Sequence, residues 1–242
     1  MKPETYIKRA VKRLSEIERR RAFDQTIALS EPFHGGTYLL GADGVRAHMV
    51  QGEYPFENNS EEIDLKYPAN ALMTEFERGR SAPLIATFTP EQVVNVCKAA
   101  DAIHLDNSQK ARKRHGSPAM KVTLNGAMDF VAYRPENGIM RASLEDGFEW
   151  KTKSKPKKFN YDFKADKALS FWINPLFLKD ALAGIKTDVA LKFDDDRKLV
   201  HIGDEFYEHE AVIMCLLASH FESDLDKQLK KMEDTGEDDH ER

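Results

Sequence analysis

Cysteine is almost missing: the 242 residues hold two, Cys97 and Cys215, and neither sits in a Cys-x-x-Cys or Cys/His spacing. That excludes a disulfide scaffold and a zinc finger or ribbon. Both thiols lie in apolar periodic segments and are expected to be buried and free, as in a reducing cytoplasm. No apolar run reaches the roughly 18 residues of a membrane-spanning helix, and Met1-Lys-Pro-Glu leads into charge rather than a signal-peptide core. The expectation is a cytoplasmic protein of a bacterial or phage-infected cell, with no membrane partner. The eight histidines show no His-x-x-x-His or His-Glu-x-x-His spacing. Phe33-His34-Gly35-Gly36 reads as a turn before a strand, and no glycine-rich phosphate cradle or nucleophile–base pair occurs. No enzyme signature, metal or cofactor is therefore expected.

What is present describes a globular chain: 41% apolar, 32% charged and 10% aromatic residues, with 13 Gly and 10 Pro. The net charge of -5 belongs to the last segment, because Glu222–Arg242 holds nine acids and four bases. The preceding 221 residues balance at 32 of each sign, so the informative question is where the bases lie.

Periodicity predicts four helices. The first runs from Thr5 to about Phe23 on the stripe Ile7, Ala10, Val11, Leu14, Ile17. The second covers Pro68 to about Arg78 with Ala71, Leu72 and Phe76 as its apolar face. The third follows Thr89-Pro90-Glu91-Gln92, where Thr is an N-cap candidate. The fourth starts at Asn174-Pro175 and ends at Gly184. Strands are predicted at 36–41, 45–50, 83–88, 120–124, 127–133, 139–144, 159–163, 169–173, 188–193, 199–203 and 211–217. Asn125-Gly126 is the strongest hairpin signal, and Asp194-Asp195-Asp196 reads as a polar hairpin turn rather than a metal site. A helix followed by an antiparallel meander repeats, which gives an α+β fold with helices on one face of the sheets. Residues 1–83 form a reduced first unit, 84–221 a second, and 222–242 an acidic tail.

The stretch Phe171-Trp-Ile-Asn-Pro-Leu-Phe-Leu-Lys-Asp-Ala-Leu-Ala-Gly-Ile, the closing Ala211-Val-Ile-Met-Cys-Leu-Leu, and the shorter Gly41-Ala-Asp-Gly-Val-Arg resemble segments of DNA polymerase sliding clamps. The resemblance is strongest over residues 84–218. It implies a DNA-clamp-like fold and a processivity factor that encircles or cradles duplex DNA non-specifically and tethers a DNA polymerase, with a clamp-loader ATPase as a further partner. Bacterial beta clamps carry three such units per chain and this chain has room for two, so a closed ring implies a trimer, and a dimer otherwise. The alternative is a clamp-fold adaptor or inhibitor, of phage type, that binds a host macromolecule such as a nuclease.

Candidate DNA contacts start with Lys8, Arg9, Lys12 and Arg13, which share one side of the first helix, and continue through Arg20. A stripe of this kind follows a phosphate backbone without reading bases, and it equally suits a solvated face paired with Glu16 and Glu18. Helix three offers Lys98, and Lys110, Arg112, Lys113 and Arg114 form a basic run that reads either as a phosphate contact or as a solvated loop. Clamps dock partner peptides in an apolar cleft built partly from the last strand; by position that implies Leu176, Met214 and Leu216, residues that ordinary core packing also explains.

Overall fold

The computed structural model describes residues 3–11, 26–33, 36–51, 69–104, 118–124, 127–134, 137–145, 169–204 and 206–227. Along the chain these form α1 (Pro3–Val11), β1 (Thr26–Phe33), β2 (Gly36–Ala42), β3 (Arg46–Gln51), α2 (Ala69–Ser81), β4 (Leu84–Phe88), α3 (Pro90–Ile103), β5 (Met120–Leu124), β6 (Ala127–Arg134), β7 (Gly138–Glu145), β8 (Leu169–Ile173), α4 (Pro175–Leu182), β9 (Val189–Asp194), β10 (Leu199–Asp204) and β11 (His209–Met214). A seven-stranded sheet has the order β1-β2-β3-β11-β10-β9-β4, and a four-stranded sheet the order β7-β6-β5-β8. All pairings are antiparallel, and β3 beside β11 joins the two halves of the chain into one sheet.

Strand alternation builds the main core. Val122, Leu124, Phe130 and Ala132 of the small sheet, with Val189, Leu191, Val200, Ile202, Ala211 and Ile213 of the large one, face α3 and α4. Helix α3 inserts Val93, Cys97 and Ala100, and α4 inserts Leu178, Ala181 and Leu182. The expected Thr89 cap is not made: its hydroxyl bonds Asp188 Oδ1 at 3.3 Å, so Pro90 and the buried stripe set this helix start. Asn174 does cap α4, its Oδ1 accepting from the Leu176 N–H at 2.9 Å.

Strand β3 faces two ways, and this decides everything near the site. Ala47 and Met49 pack with Met73 and Phe76 of α2, Tyr38 and Leu40 of β2, Leu199 and Val212. Arg46, His48 and Val50 point the other way, toward α1, where Tyr6 and Ile7 pack with Leu39 and Val50. Hence α1, α3 and α4 share one face of the sheet system, while α2 covers the opposite face of the large sheet. The apolar face predicted for α2 is turned: Ala71 is exposed, and Met73 and Phe76 carry the burial.

Other differences are local. Strand β1 was not predicted; Pro32 and Glu31 argue against a central strand, and β1 is an edge strand with a register shift between Leu29 and Phe33. The last strand ends at Met214, not Leu217, because the chain then crosses to the small sheet: Leu216 bridges Trp172, its N–H donating to the Trp172 carbonyl at 2.8 Å. Residues 222–227 form a short helix that buries Leu225 against Trp172, on which Phe221 stacks. The Asp194–Asp196 turn is as expected, with the Asp194 carboxylate accepting from the Arg197 N–H at 3.1 Å. The strand predicted at 159–163, the first helix beyond Val11 and the tail beyond residue 227 lie outside the described residues.

Candidate partner groove and basic helix

The groove begins with a turn. Asp43 Oδ1 accepts from the Val45 and Arg46 N–H groups at 3.1 and 3.0 Å, and Gly44 takes φ 85°, a conformation that glycine adopts without penalty. This holds Val45 at the surface, where its carbonyl accepts from the Met214 N–H at 2.9 Å. Met214 is 49% exposed at the end of β11. Between them opens a groove of about 310 Å³. Ala47, Leu199 and Val212 contribute apolar surface, Leu72 of α2 forms a wall, and Glu75 and Arg197 stand at the rim. Strands β3 and β11 are each paired on both sides, so the groove offers side-chain packing and no free strand edge.

On the opposite face, Arg46 ties the groove strand to α1 and α4. Its fully buried guanidinium donates through Nε to Asp43 Oδ2 at 3.0 Å and to the Ala10 carbonyl at 3.1 Å, and through Nη1 to Asp180 Oδ2 at 3.1 Å. It also lies 4.2 Å above the Phe177 ring. Burial raises the Asp43 carboxyl above its ordinary value, and the Arg46 charge opposes that rise. Tyr6 completes the anchorage of α1 by donating its hydroxyl to the Ala181 carbonyl at 2.9 Å. Burial, then the negative charges of Asp204, Glu210 and Asp180, push that hydroxyl's pKa upward.

Of the three residues proposed for partner docking, Met214 lines the groove. Leu176 does not: it is buried, 2% exposed, at the start of α4. Leu216 is also displaced, since the crossover to β8 packs it beside Trp172. Val45, Leu72, Leu199 and Val212 were missed as lining residues. The signal lies in Gly41-Ala-Asp-Gly-Val-Arg, whose Asp43-Gly44 turn sets Val45 at the groove.

The candidate bases separate as well. Arg9 is engaged, its Nη1 lying 3.3 Å from Asp180 Oδ1 with the Arg9 side chain 35% exposed. Lys98 is exposed on α3 and donates to Asn95 Oδ1 at 3.3 Å. Lys12, Arg13, Arg20, Lys110, Arg112, Lys113 and Arg114, and the side chain of Lys8, lie outside the described residues.

Under α2 lies a second polar cluster. His201 Nε2 is 2.9 Å from Glu210 Oε2, both side chains are fully buried, and Arg80 donates from α2 to both carboxylate oxygens of Glu210. Lys192 reaches the Arg80 carbonyl and lies 3.2 Å from the Tyr207 hydroxyl. Gly79 makes this approach possible, because a Cβ there would come within 2.8 Å of His201. Among the described residues, Asp204, Glu208 and His209 bring possible metal-ligand atoms within 4.8 Å of one another. The Asp204 carboxylate already accepts from the Glu208 and His209 N–H groups at 2.7 and 3.1 Å, which makes it the fastener of the β10–β11 turn. Cys97 is buried and Cys215 half-buried; burial pushes the Cys215 thiol up to about 12 and the Cys97 thiol upward too, away from reactive thiolate chemistry.

No protein-family description matches the chain, and no curated protein matches it. Among solved structures it is similar to the beta sliding clamp of Caulobacter crescentus, at 14% identity and TM-score 0.60 over 88% of this chain and 62% of that one. It is similar to a DNA polymerase sliding clamp from Pseudomonas aeruginosa at 15% identity and TM-score 0.56, over 88% and 64%. DNA polymerase III subunit beta from Borrelia burgdorferi is similar at 10% identity and TM-score 0.55, over 90% and 63%. The chain has the sliding-clamp fold, and it spans less than two thirds of the length of these clamps. Among the described residues no helix is long and apolar enough to cross a membrane.

Proposed function

We propose that the protein is a non-catalytic, clamp-type scaffold that rides on duplex DNA and holds a replication protein there. The observation that carries this reading is the separation of faces: α1, α3 and α4 share one side of the sheet system, and the apolar groove opens on the other. A duplex met by the helix face leaves the groove free for a partner. The chain divides into two clamp-like units, 1–83 and 84–221, followed by the acidic segment 222–242, whose opening helix, 222–227, packs Leu225 on Trp172 of the second unit. Self-association through exposed edge strands builds a trimeric ring, or a dimer if the ring does not close. Lys8, Lys12, Arg13, Arg20, Lys98 and the run Lys110, Arg112, Lys113, Arg114 supply exchangeable phosphate contacts, with Arg9 available only if it leaves Asp180. Met214 anchors the partner, for which a DNA polymerase and a loader ATPase are the expected class in a bacterial or phage-infected cytoplasm.

The engagement of Arg9 by Asp180, with Lys98 the single base on α3, favours a second reading: an adaptor or inhibitor that has left DNA. Solution mass by light scattering and duplex affinity by fluorescence anisotropy decide between them. The scaffold reading expects a trimer and salt-sensitive duplex binding that Lys8→Glu, Arg9→Glu, Lys12→Glu and Arg13→Glu together abolish. A monomer with no duplex affinity at low salt would overturn it in favour of the adaptor.

A further inference from the structure

Among the described residues, every buried carboxylate but one meets a lysine or an arginine. Asp43 and Asp180 meet Arg46, Glu210 meets Arg80, and Asp101 lies 4.0 Å from Lys179. Asp204 is the exception. It is 6% exposed, and its one ion-pair candidate is the imidazole of His209, whose Nδ1 lies 3.3 Å from Oδ2. Its charge is felt nearby, where it helps to push the Tyr6 hydroxyl's pKa upward. A carboxylate taken from water without a permanent countercharge is unfavourable, so the β10–β11 turn is short of positive charge.

The donors that would hold a cation are in place. The chain doubles back through Tyr207, at φ 54°, and sets Glu208 and His209 beside Asp204, whose two oxygens accept from their N–H groups. Each oxygen keeps a lone pair. One ligand atom from each of the three side chains lies within 4.8 Å of the others. The 3.3 Å between Asp204 Oδ2 and His209 Nδ1 matches the edge of a tetrahedron whose metal bonds are about 2.0–2.1 Å. The Tyr6 ring meets His209 edge-on at 5.2 Å and orients the imidazole. Glu208 is exposed, so the turn is open to solvent on that side. Two carboxylates and one imidazole suit zinc, whereas calcium calls for about six to eight oxygens and magnesium for an octahedral oxygen set.

We propose that Asp204, Glu208 and His209 bind a divalent transition-metal ion of the zinc type, with a fourth position left to water or to a ligand from outside. The ion clips the β10–β11 hairpin and neutralises Asp204. The site lies at the opposite end of β11 from Met214, and it stands or falls independently of the scaffold reading.

The test titrates the full, chelator-treated chain with Zn²⁺ by calorimetry and with Co²⁺ by NMR. A single Zn²⁺ should bind at micromolar concentration in the presence of millimolar Mg²⁺ and raise the urea midpoint. Substoichiometric Co²⁺ should broaden the His209 ring resonances before those of any other histidine. Glu208→Gln and His209→Gln should each weaken Zn²⁺ binding by more than about tenfold, while their circular dichroism in chelator matches that of wild type. Undiminished Zn²⁺ binding by both variants would overturn the site as adventitious uptake elsewhere. So would Co²⁺ that broadens another histidine and leaves His209 sharp, a readout that needs no variant. Absence of Zn²⁺ binding to the wild-type chain would also overturn the proposal.

Discussion

His48 should make the protein acid-sensitive in a calculable way. The ring sits on β3 facing α1, fully buried, 4.7 Å from the Tyr6 ring and with Nδ1 3.2 Å from the Tyr6 carbonyl. Burial first, then the charge of Arg46 and more weakly that of Arg9, lower its pKa from 6.5 to about 3, and the hydrogen bond to the Tyr6 carbonyl opposes them. The neutral ring donates Nδ1–H to that carbonyl. In the unfolded chain His48 takes a proton near 6.5; in the folded chain it does so only near 3. Between those values the unfolded state binds more protons, so this contribution to stability is complete above 6.5 and is lost as pH falls. The slope approaches about 1.4 kcal/mol per pH unit, which makes the loss about 2 kcal/mol between roughly pH 7 and pH 5. Urea unfolding of wild type and His48→Gln at the two pH values isolates the residue. The variant starts less stable, having lost the ring packing, but its stability should fall by about 2 kcal/mol less than that of wild type. Parallel pH profiles, or a native His48 resonance titrating near 6.5, would refute the reasoning.

Asp180→Ala should cost about 1–3 kcal/mol by taking from the buried Arg46 guanidinium one of its two carboxylate partners, Asp43 remaining, whereas Arg9→Ala, removing a side chain that is 35% exposed, should cost at most about 1 kcal/mol; an Arg9→Ala urea midpoint as low as that of Asp180→Ala would refute the ranking. Gly79→Ala gains helix propensity of about 1 kcal/mol, yet its methyl would sit 2.8 Å from His201 Cβ and Cδ2, so the net effect should be a loss of about 1–3 kcal/mol, and a stabilised variant would refute the packing of α2. If duplex binding is found, Arg9→Ala should leave the slope of log affinity against log salt unchanged, while Asp180→Asn should steepen it by about 0.9; a shallower slope for Arg9→Ala would show that Arg9 already meets phosphate.

Much of the architecture was legible because it is written locally. The stripe of Val93, Cys97 and Ala100, the Asn174-Pro175 helix start and the alternation of 120–124 and 127–133 each carry their own period, and the structure keeps all of them. The edge strand β1 was not legible, because Glu31, Pro32 and the glycines after Phe33 have turn composition and only the edge position excuses the missing ladder donor. The groove is a deeper case. An amphipathic α2 can be inferred from 68–78, but which sheet face it covers depends on Gly79 meeting His201 and on Arg80 meeting Glu210, 130 positions downstream. Without that face, Met214 reads as another apolar strand residue rather than as one side of a groove.

The basic helix shows how the same limit acts on charge. Lys8, Arg9, Lys12 and Arg13 form one stripe by spacing, and spacing treats them alike. Asp180, 171 positions away from Arg9, does not. It is 2% exposed and already holds the buried Arg46, so it gains from a second cation that stays partly in water, and among the described residues Arg9 supplies it. A basic stripe therefore gives an upper bound on the phosphate contacts of a helix. The carboxylates that the fold brings beneath it set the number left to bind, and here the first arginine of the stripe is paired with Asp180.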